Sequence, residues 1–357
     1  MDDDTIRVGL IGYGLGGAVF HAPLVDATPG MALAVVVSGN PERQASAAAR
    51  YPGARVVANA DDLWANADDL DLIVISTVNR AHVPLAKAAF AAGLPVVMDK
   101  PLAASAADGQ ALVDAADASG LLFSVFQNRR WDSDFLTLRR LLEADAIGTP
   151  ARFESRFERW RPTLDPDAWR ERADADEAGG LLFDLGSHLI DQAMLLFGRP
   201  THVYAEVDAR RHGAAVDDDA FVALTHPNGV RSHLWMSAVA RVHGPRFRVL
   251  GSEGAFVSYG LDGQEDALAA GGDPASPGWG AEPPDRWGTL ADEDGERVVE
   301  SRPGDYPAYY AGVAESLRSG AALPVDPRDS VDGLRVIEAA LRSARAHETV
   351  ALEWTDA

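Results

Sequence analysis

Apolar residues in the first third of the chain fall in short unbroken runs. Ile6 to Ile11, Ala32 to Val37, Leu72 to Ile75, Pro95 to Met98 and Leu121 to Phe126 read as strands, with a shorter one at Arg55 to Val57. Between them lie stretches of helical character: Val19 to Ala27, Asn40 to Tyr51, Asp61 to Asn66, His82 to Ala92 ended by Gly93, and Ala104 to Ser119 closed by Gly120. Strands that are apolar on both faces and alternate with helices predict a parallel sheet covered on both sides. The order βαβαβ is complete by residue 76.

Beyond residue 126 the pattern changes to period two. Helices are expected at Ser133 to Ala144 and Gly180 to Phe197. Alternating strands follow at Arg152 to Arg159, Val203 to Arg210, Ala220 to Thr225, Val230 to Ala238, Phe247 to Leu250 and Phe256 to Tyr259. Pro227-Asn228-Gly229 marks a hairpin turn between two of them. Residues 262–288, rich in Gly, Pro and Trp, read as a long loop placed to lie over a site or another subunit. The fold class expected is α/β: an N-terminal parallel sheet over 1–126, then an α+β domain on a largely antiparallel sheet over 127–357. A length of 357 residues agrees with about two domains at roughly 150 residues each.

The first strand ends in Gly12-Tyr13-Gly14-Leu15-Gly16-Gly17, a G-x-G-x-x-G loop between a strand and a helix. That context is the dinucleotide-binding Rossmann signature: Gly12 for the tight turn, Gly14 for close approach of a pyrophosphate, Gly17 for helix-on-strand packing, and Leu15 within the loop. The helix N-terminus behind it favours phosphate. An NAD site usually ends the second strand with Asp or Glu, but Ser38-Gly39-Asn40 stands there, with Arg43 one turn on to attract a 2′-phosphate. NADP is therefore the expected cofactor, with NAD as the alternative.

Composition removes other classes. The chain has no cysteine, which excludes disulfides, thiolate metal sites and cysteine nucleophiles. A net charge of −22 disfavours nucleic acid and anionic membrane as partners. No apolar run reaches the ~20 residues of a membrane span, and the acidic start Met1-Asp2-Asp3-Asp4 is unlike a signal peptide, so a cytoplasmic location is expected. H-E-x-x-H, G-x-S-x-G and Walker motifs are lacking, and no metal is expected. Of 32 basic residues only Lys87 and Lys100 are lysine.

Four stretches make the chain resemble the Gfo/Idh/MocA oxidoreductases over nearly its whole length. They are the glycine loop running on into Val19-Phe20-His21-Ala22-Pro23-Leu24, then Thr77-Val78-Asn79-Arg80-Ala81-His82, then Met98-Asp99-Lys100-Pro101, where Asp99 replaces the family's Glu, and Gly179 to His188 followed by Leu189-Ile190-Asp191. Val78 stands where the family often has Pro. Asn128-Arg129-Arg130-Trp131-Asp132 and Tyr259 to Asp266 resemble the branch with NADP-dependent scyllo-inositol dehydrogenases. The resemblance implies that Thr77, Asn79 and His82 touch the cofactor ribose and pyrophosphate, that Trp169-Arg170 reaches the dinucleotide from the second domain, and that Asn128 and Arg130 orient the nicotinamide or substrate hydroxyls.

Asp184 and His188, four apart on a helical segment, share one face as an acid/base pair. A secondary alcohol losing a hydride to a nicotinamide must also lose its hydroxyl proton, and histidine suits that transfer near neutrality. The resemblance gives His188 as base, with Asp184 alternatively fixing its ring. Lys100, at the carboxyl end of a strand, supplies a compact cation for the developing alkoxide. Lys100, Arg130, Asp184 and His188 are the expected substrate contacts. The activity expected is reversible oxidation of a cyclic polyol or sugar. The alternatives are another diol or deoxysugar and a non-catalytic NAD(P) or sugar sensor. Trp160, Trp235, Trp279 and Trp287 read as core or interface aromatics, Trp279 being the best candidate for a sugar platform. A homo-oligomer through the second sheet is expected, with Val203, Ala205, Val207, Phe221 and Ala223 supplying the alternating apolar face.

Overall fold

The computed structural model describes residues 5–165, 171 and 177–354. Six strands, β1 (Ile6–Ile11), β2 (Met31–Val37), β3 (Arg55–Val57), β4 (Leu72–Ile75), β5 (Val96–Met98) and β6 (Phe123–Val125), pair parallel in the order β3-β2-β1-β4-β5-β6. Both faces of this sheet are covered, as the unbroken apolar runs require. Ile11, Ile73 and Ile75 enter one core, and Val8, Leu10, Leu72 and Val74 the other.

The crossover helices are α1 (Ala22–Ala27), α2 (Pro41–Arg50), α3 (Asp61–Trp64), α4 (His82–Ala91) and α5 (Ala106–Ser119). Asn40 Oδ1 accepts the Arg43 N–H at 3.0 Å and Ser105 Oγ the Asp108 N–H at 3.1 Å, capping α2 and α5. The first helix starts earlier than its apolar pattern suggested: Gly16–His21 forms a π-helical turn that runs into α1.

The second sheet has nine strands: β7 (Pro150–Glu158), β8 (His202–Asp208), β9 (Asp219–Thr225), β10 (Arg231–Ser237), β11 (Phe247–Gly251), β12 (Ala255–Ser258), β13 (Gly288–Asp292), β14 (Gly295–Val299) and β15 (Val350–Ala351). Their order is β14-β13-β12-β11-β7-β10-β9-β8-β15, antiparallel except for the central β10–β7 pair. Its helices are α6 (Ser133–Glu143), α7 (Ser187–Phe197), α8 (Gln264–Ala269), α9 (Pro307–Ser319) and α10 (Pro327–Ala346).

Helices α7 and α10 cover the inner face, α10 lying on β8 and also on α5 of the first unit. Helix α9 returns to the first unit too, where Tyr309, Tyr310 and Val313 share a core with Leu24, Val25 and Val97. Two expectations are corrected here. Residues 262–288 are not a bare loop but contain α8 and a 3₁₀ turn at Pro284–Arg286. Asp262 ties that segment down by accepting the Ser133 and Gln264 N–H groups at 2.7 and 2.8 Å. Val203 and Ala205 point inward, whereas Phe221 and Ala223 lie opposite Glu206 and Tyr204 on the outer face, so these residues do not form one surface.

Candidate functional site

Strand order reverses between β1 and β4, the place where open parallel sheets bind ligands at their carboxyl ends. A groove of about 600 Å³ opens there, lined by Gly12, Gly14, Leu15, Ser38, Arg43 and Thr77 among others. Gly12 has φ +102°, and a Cβ on it would sit 2.0 Å from the Ser76 carbonyl oxygen. A Cβ on Gly17 would sit 2.0 Å from Gly12 O, so Gly17 serves the packing of turn on helix rather than the groove. Gly14 is open, with Arg43 Nη1 at 3.7 Å from its Cβ position. Bare backbone, an exposed guanidinium and the Ser38-Gly39-Asn40 turn at the end of β2 fit a dinucleotide with its phosphates on the glycine loop.

The groove continues, through Leu15, Gly16 and Asp99, into a cleft of about 390 Å³ between the two sheets. Lys100 follows β5, and its Nζ donates to Asp184 Oδ1 at 2.7 Å and to Asp184 O at 2.6 Å. Behind it Asp99 accepts the Ser76 hydroxyl at 2.9 Å and the Lys100 N–H at 2.8 Å, with His21 Nε2 at 3.4 Å. Burial works against its charge, but His21, Lys100 and His82 hold the Asp99 carboxyl well below the usual range. His21 in turn meets the Tyr310 hydroxyl through Nδ1 at 2.6 Å.

Asp184 lies in a π-helical turn, Leu182–Gly186, that leads into α7, and His188 is on the first turn of α7. Gly180, at φ +96°, starts this segment, and the Leu182 N–H donates to Asp217 Oδ2 at 2.7 Å. His188 lines the cleft and is 4% exposed. Its Nδ1–H donates to Gln127 Oε1 at 3.2 Å, the only sense a carbonyl oxygen allows, which leaves Nε2 as the basic atom. Burial, with Lys100 and Arg129 adding positive charge, lowers its pKa well below 6.5, so the ring is neutral at pH 7. Lys100 bonded to a carboxylate beside a neutral imidazole is an arrangement that can bind an alcohol oxygen and remove its proton.

The cleft brings together Lys100, Asn128, Asp184 and His188 as anticipated. Other expected contacts do not reach it. Arg130 is buried and donates to Asp191 at 2.8 and 2.6 Å and to Asp329 at 2.9 Å, while its neighbour Arg129 lines the cleft. His82 is fully buried with Nδ1 at 3.0 Å from Pro101 O and Nε2 at 3.3 Å from Thr77 O, tying the Thr77 turn to the lysine turn. Asn79 is 3% exposed and its Nδ2 donates to Glu177 O at 2.6 Å. Trp279 donates to Gln264 Oε1 at 2.9 Å and packs in a core rather than presenting a platform. Trp169 and Arg170 lie outside the described residues. Gln127, Arg159 and Asp217 are site residues outside the motifs, and Arg129 and Glu265 lie within the Asn128–Asp132 and Tyr259–Asp266 stretches, where no site role was expected of them.

Residues 6–127 match the model described as an oxidoreductase family with an NAD-binding Rossmann fold, and residues 135–257 match that of the GFO/IDH/MocA C-terminal domain. The chain is 38% identical to the scyllo-inositol 2-dehydrogenase (NADP(+)) IolW of Bacillus subtilis over 354 residues, covering 98% of this chain and 97% of that one. It is 40% identical to the uncharacterized oxidoreductase YdgJ of Escherichia coli, covering 98% and 99%. The solved structure of the oxidoreductase yvaA from Bacillus subtilis superposes with a TM-score of 0.93 at 36% identity, covering 99% and 100%. Among the described residues no helix is long and apolar enough to cross a membrane. With both domains matched and full-length relatives above 30% identity, the chain belongs to the Gfo/Idh/MocA oxidoreductase family.

Proposed function

We propose that the protein is an NADP-dependent dehydrogenase that interconverts a secondary alcohol of a cyclic polyol or sugar and the corresponding ketone. The observation that carries this reading is the meeting of Lys100, Asp184 and His188 in one cleft continuous with the glycine groove. Gly12, Gly14, Leu15, Ser38, Arg43 and Thr77 would hold the cofactor on the groove side, and Asn128 on the cleft side. Bound NADP supplies the hydride acceptor. The Lys100 ammonium, steered by Asp184, hydrogen-bonds the alcohol oxygen and stabilises negative charge developing on it. His188 Nε2 takes the hydroxyl proton, and Gln127 on Nδ1 keeps that nitrogen the acceptor. In the ketone direction the same ring returns the proton. The polyol class is supported by the activity of the Bacillus subtilis relative, a scyllo-inositol 2-dehydrogenase.

The test follows nicotinamide reduction by absorbance when pure protein meets NADP or NAD with a panel of inositols and aldoses. Turnover favouring NADP is expected, falling by about 10²- to 10⁴-fold in His188→Ala and in Lys100→Ala. Tight NADP binding with no turnover across the panel would count against the dehydrogenase reading.

A further inference from the structure

The far wall of the cleft carries a charged pair that the proton chemistry does not use. Arg159, just past the end of β7, and Glu265, on α8, both line the cleft with side chains 26% and 30% exposed. Their closest approach, Nη2 to Oε1, is 3.8 Å, too long for a hydrogen bond. Glu265 is held in place through its other oxygen, Oε2, which accepts from Arg129 at 2.5 Å. Arg159 is placed by stacking on Phe157 at 4.8 Å, and among the described residues its guanidinium makes no hydrogen bond. Two fixed charged groups, a donor and an acceptor, therefore face the cleft slightly too far apart to satisfy each other.

We infer that Arg159 and Glu265 together read a second hydroxyl of the substrate, which makes the site selective for polyhydroxylated compounds over simple alcohols and ketones. A substrate hydroxyl bridging them accepts from the guanidinium and donates to Glu265 Oε1, which a carbonyl or ether oxygen, having no proton to give, does not. An anionic group would meet the carboxylate and an ammonium the guanidinium, so the pair also disfavours charged substituents at that position. Burial raises Glu265, but Arg129 and Arg159, with Lys100 contributing, pull it below its usual value and keep it an acceptor. Burial, with Arg161 and Arg129 nearby, lowers the Arg159 guanidinium, and Glu265 and Asp184 oppose that shift.

This rests on the dehydrogenase reading only for its kinetic arm. The full-length protein with NADPH is assayed on cyclohexanone and on scyllo-inosose, the ketone of scyllo-inositol, and scyllo-inositol binding to the NADP-loaded protein is titrated calorimetrically. Parent, Glu265→Gln and Arg159→Met are compared. Arg159→Met leaves the Arg129–Glu265 bond intact, so it reports even if Glu265→Gln disturbs α8. Each substitution should lower kcat/KM for the polyol ketone and weaken polyol binding by about 10- to 100-fold, with cyclohexanone little changed. Parallel loss on both ketones would overturn the inference, since the pair would then position Lys100 or the fold. Polyol binding that both substitutions weaken, without turnover, would uphold it while the dehydrogenase reading falls. Neither binding nor turnover of the polyol by the parent would overturn both.

Discussion

His188 works in surroundings that keep it uncharged, and that has consequences for pH. Burial and the neighbouring cations depress its pKa, so the acid limb of kcat/KM for alcohol oxidation should lie below pH 6.5. His82 is lowered in the same direction by burial, against the pull of Asp99. Below pH 6.5 the unfolded chain thus binds protons at these two rings that the folded chain does not. The contribution of these two rings to stability is fully present above 6.5 and is lost as pH falls toward their depressed folded values, while the buried Asp262 and Asp134 carboxyls, raised to about 8 and about 7, contribute in the opposite sense over the same range. Gln127→Leu removes the acceptor that fixes the tautomer, and kcat should fall about 10- to 100-fold with KM nearly unchanged. If kcat survived that change, Gln127 would not be orienting the base. At the other end of the site, Arg43→Ala should lower kcat/KM for NADP about 10- to 100-fold and leave NAD unchanged, because only the 2′-phosphate needs the guanidinium. Lys100, Asp184 and His188 were legible in the sequence because their residue types and spacing belong to motifs. Gln127 and Glu265 were not. Glu265 meets Arg129 across 136 positions, and nothing local in the sequence says which of the adjacent Arg129 and Arg130 faces the cleft once they sit in a 3₁₀ turn.

The element that carries Asp184 and His188 depends on one strained turn. Gly180 has φ +96°, and a Cβ there would lie 1.9 Å from Asp217 Oδ1, the carboxylate whose other oxygen takes the Leu182 N–H at the start of the π-helical turn. Gly180→Ala therefore combines left-handed strain with a clash, together costing on the order of 2 kcal/mol or more. It should lower Tm by several degrees and kcat more than tenfold, since Asp184 is four residues on. Calorimetry beside the polyol assay checks both, and an unchanged protein would show that the turn tolerates a side chain. The apolar pattern located the strands of the first sheet because each is buried on two faces and carries no polar interruption. It said nothing of β14, Gly-Glu-Arg-Val-Val, which is exposed nearly throughout and holds its place by pairing with β13. The 262–288 segment misled for a related reason. Its order comes from the Asp262, Gln264 and Trp279 side chains reaching distant backbone and one another, which leaves no periodic trace.

For the whole molecule, a net charge of −22 opposes contact between copies, yet the outer face of the second sheet is built differently from the rest of the surface. The registers place Phe221 beside Trp235 and Trp235 beside Arg156 in one row, and Ala223, His233, Glu154 and Arg248 in the next. Phe221 and Trp235 pack with ring centroids 5.0 Å apart, and the Arg156 guanidinium lies 3.9 Å above the tryptophan. Arg152 and Arg231 pair on the same face. Aromatic and arginine side chains are the types that protein interfaces favour, and an arginine-rich face is the place where two acidic molecules repel least. Glu154 is already engaged by Arg152, Arg156 and Arg248 on this face, whereas the exposed Glu206 lies on the same face beside Phe221. We therefore expect a homo-oligomer joined through this face. Sedimentation equilibrium at micromolar protein should give a mass above 37.9 kDa. Trp235→Glu, which puts a carboxylate at the aromatic centre, should shift that mass toward the monomer while leaving NADP binding unchanged, because the glycine groove lies in the other sheet. A parent that sediments only as a monomer would remove the proposal. An oligomer indifferent to the substitution would move the contact to another surface and leave the aromatic row without a partner.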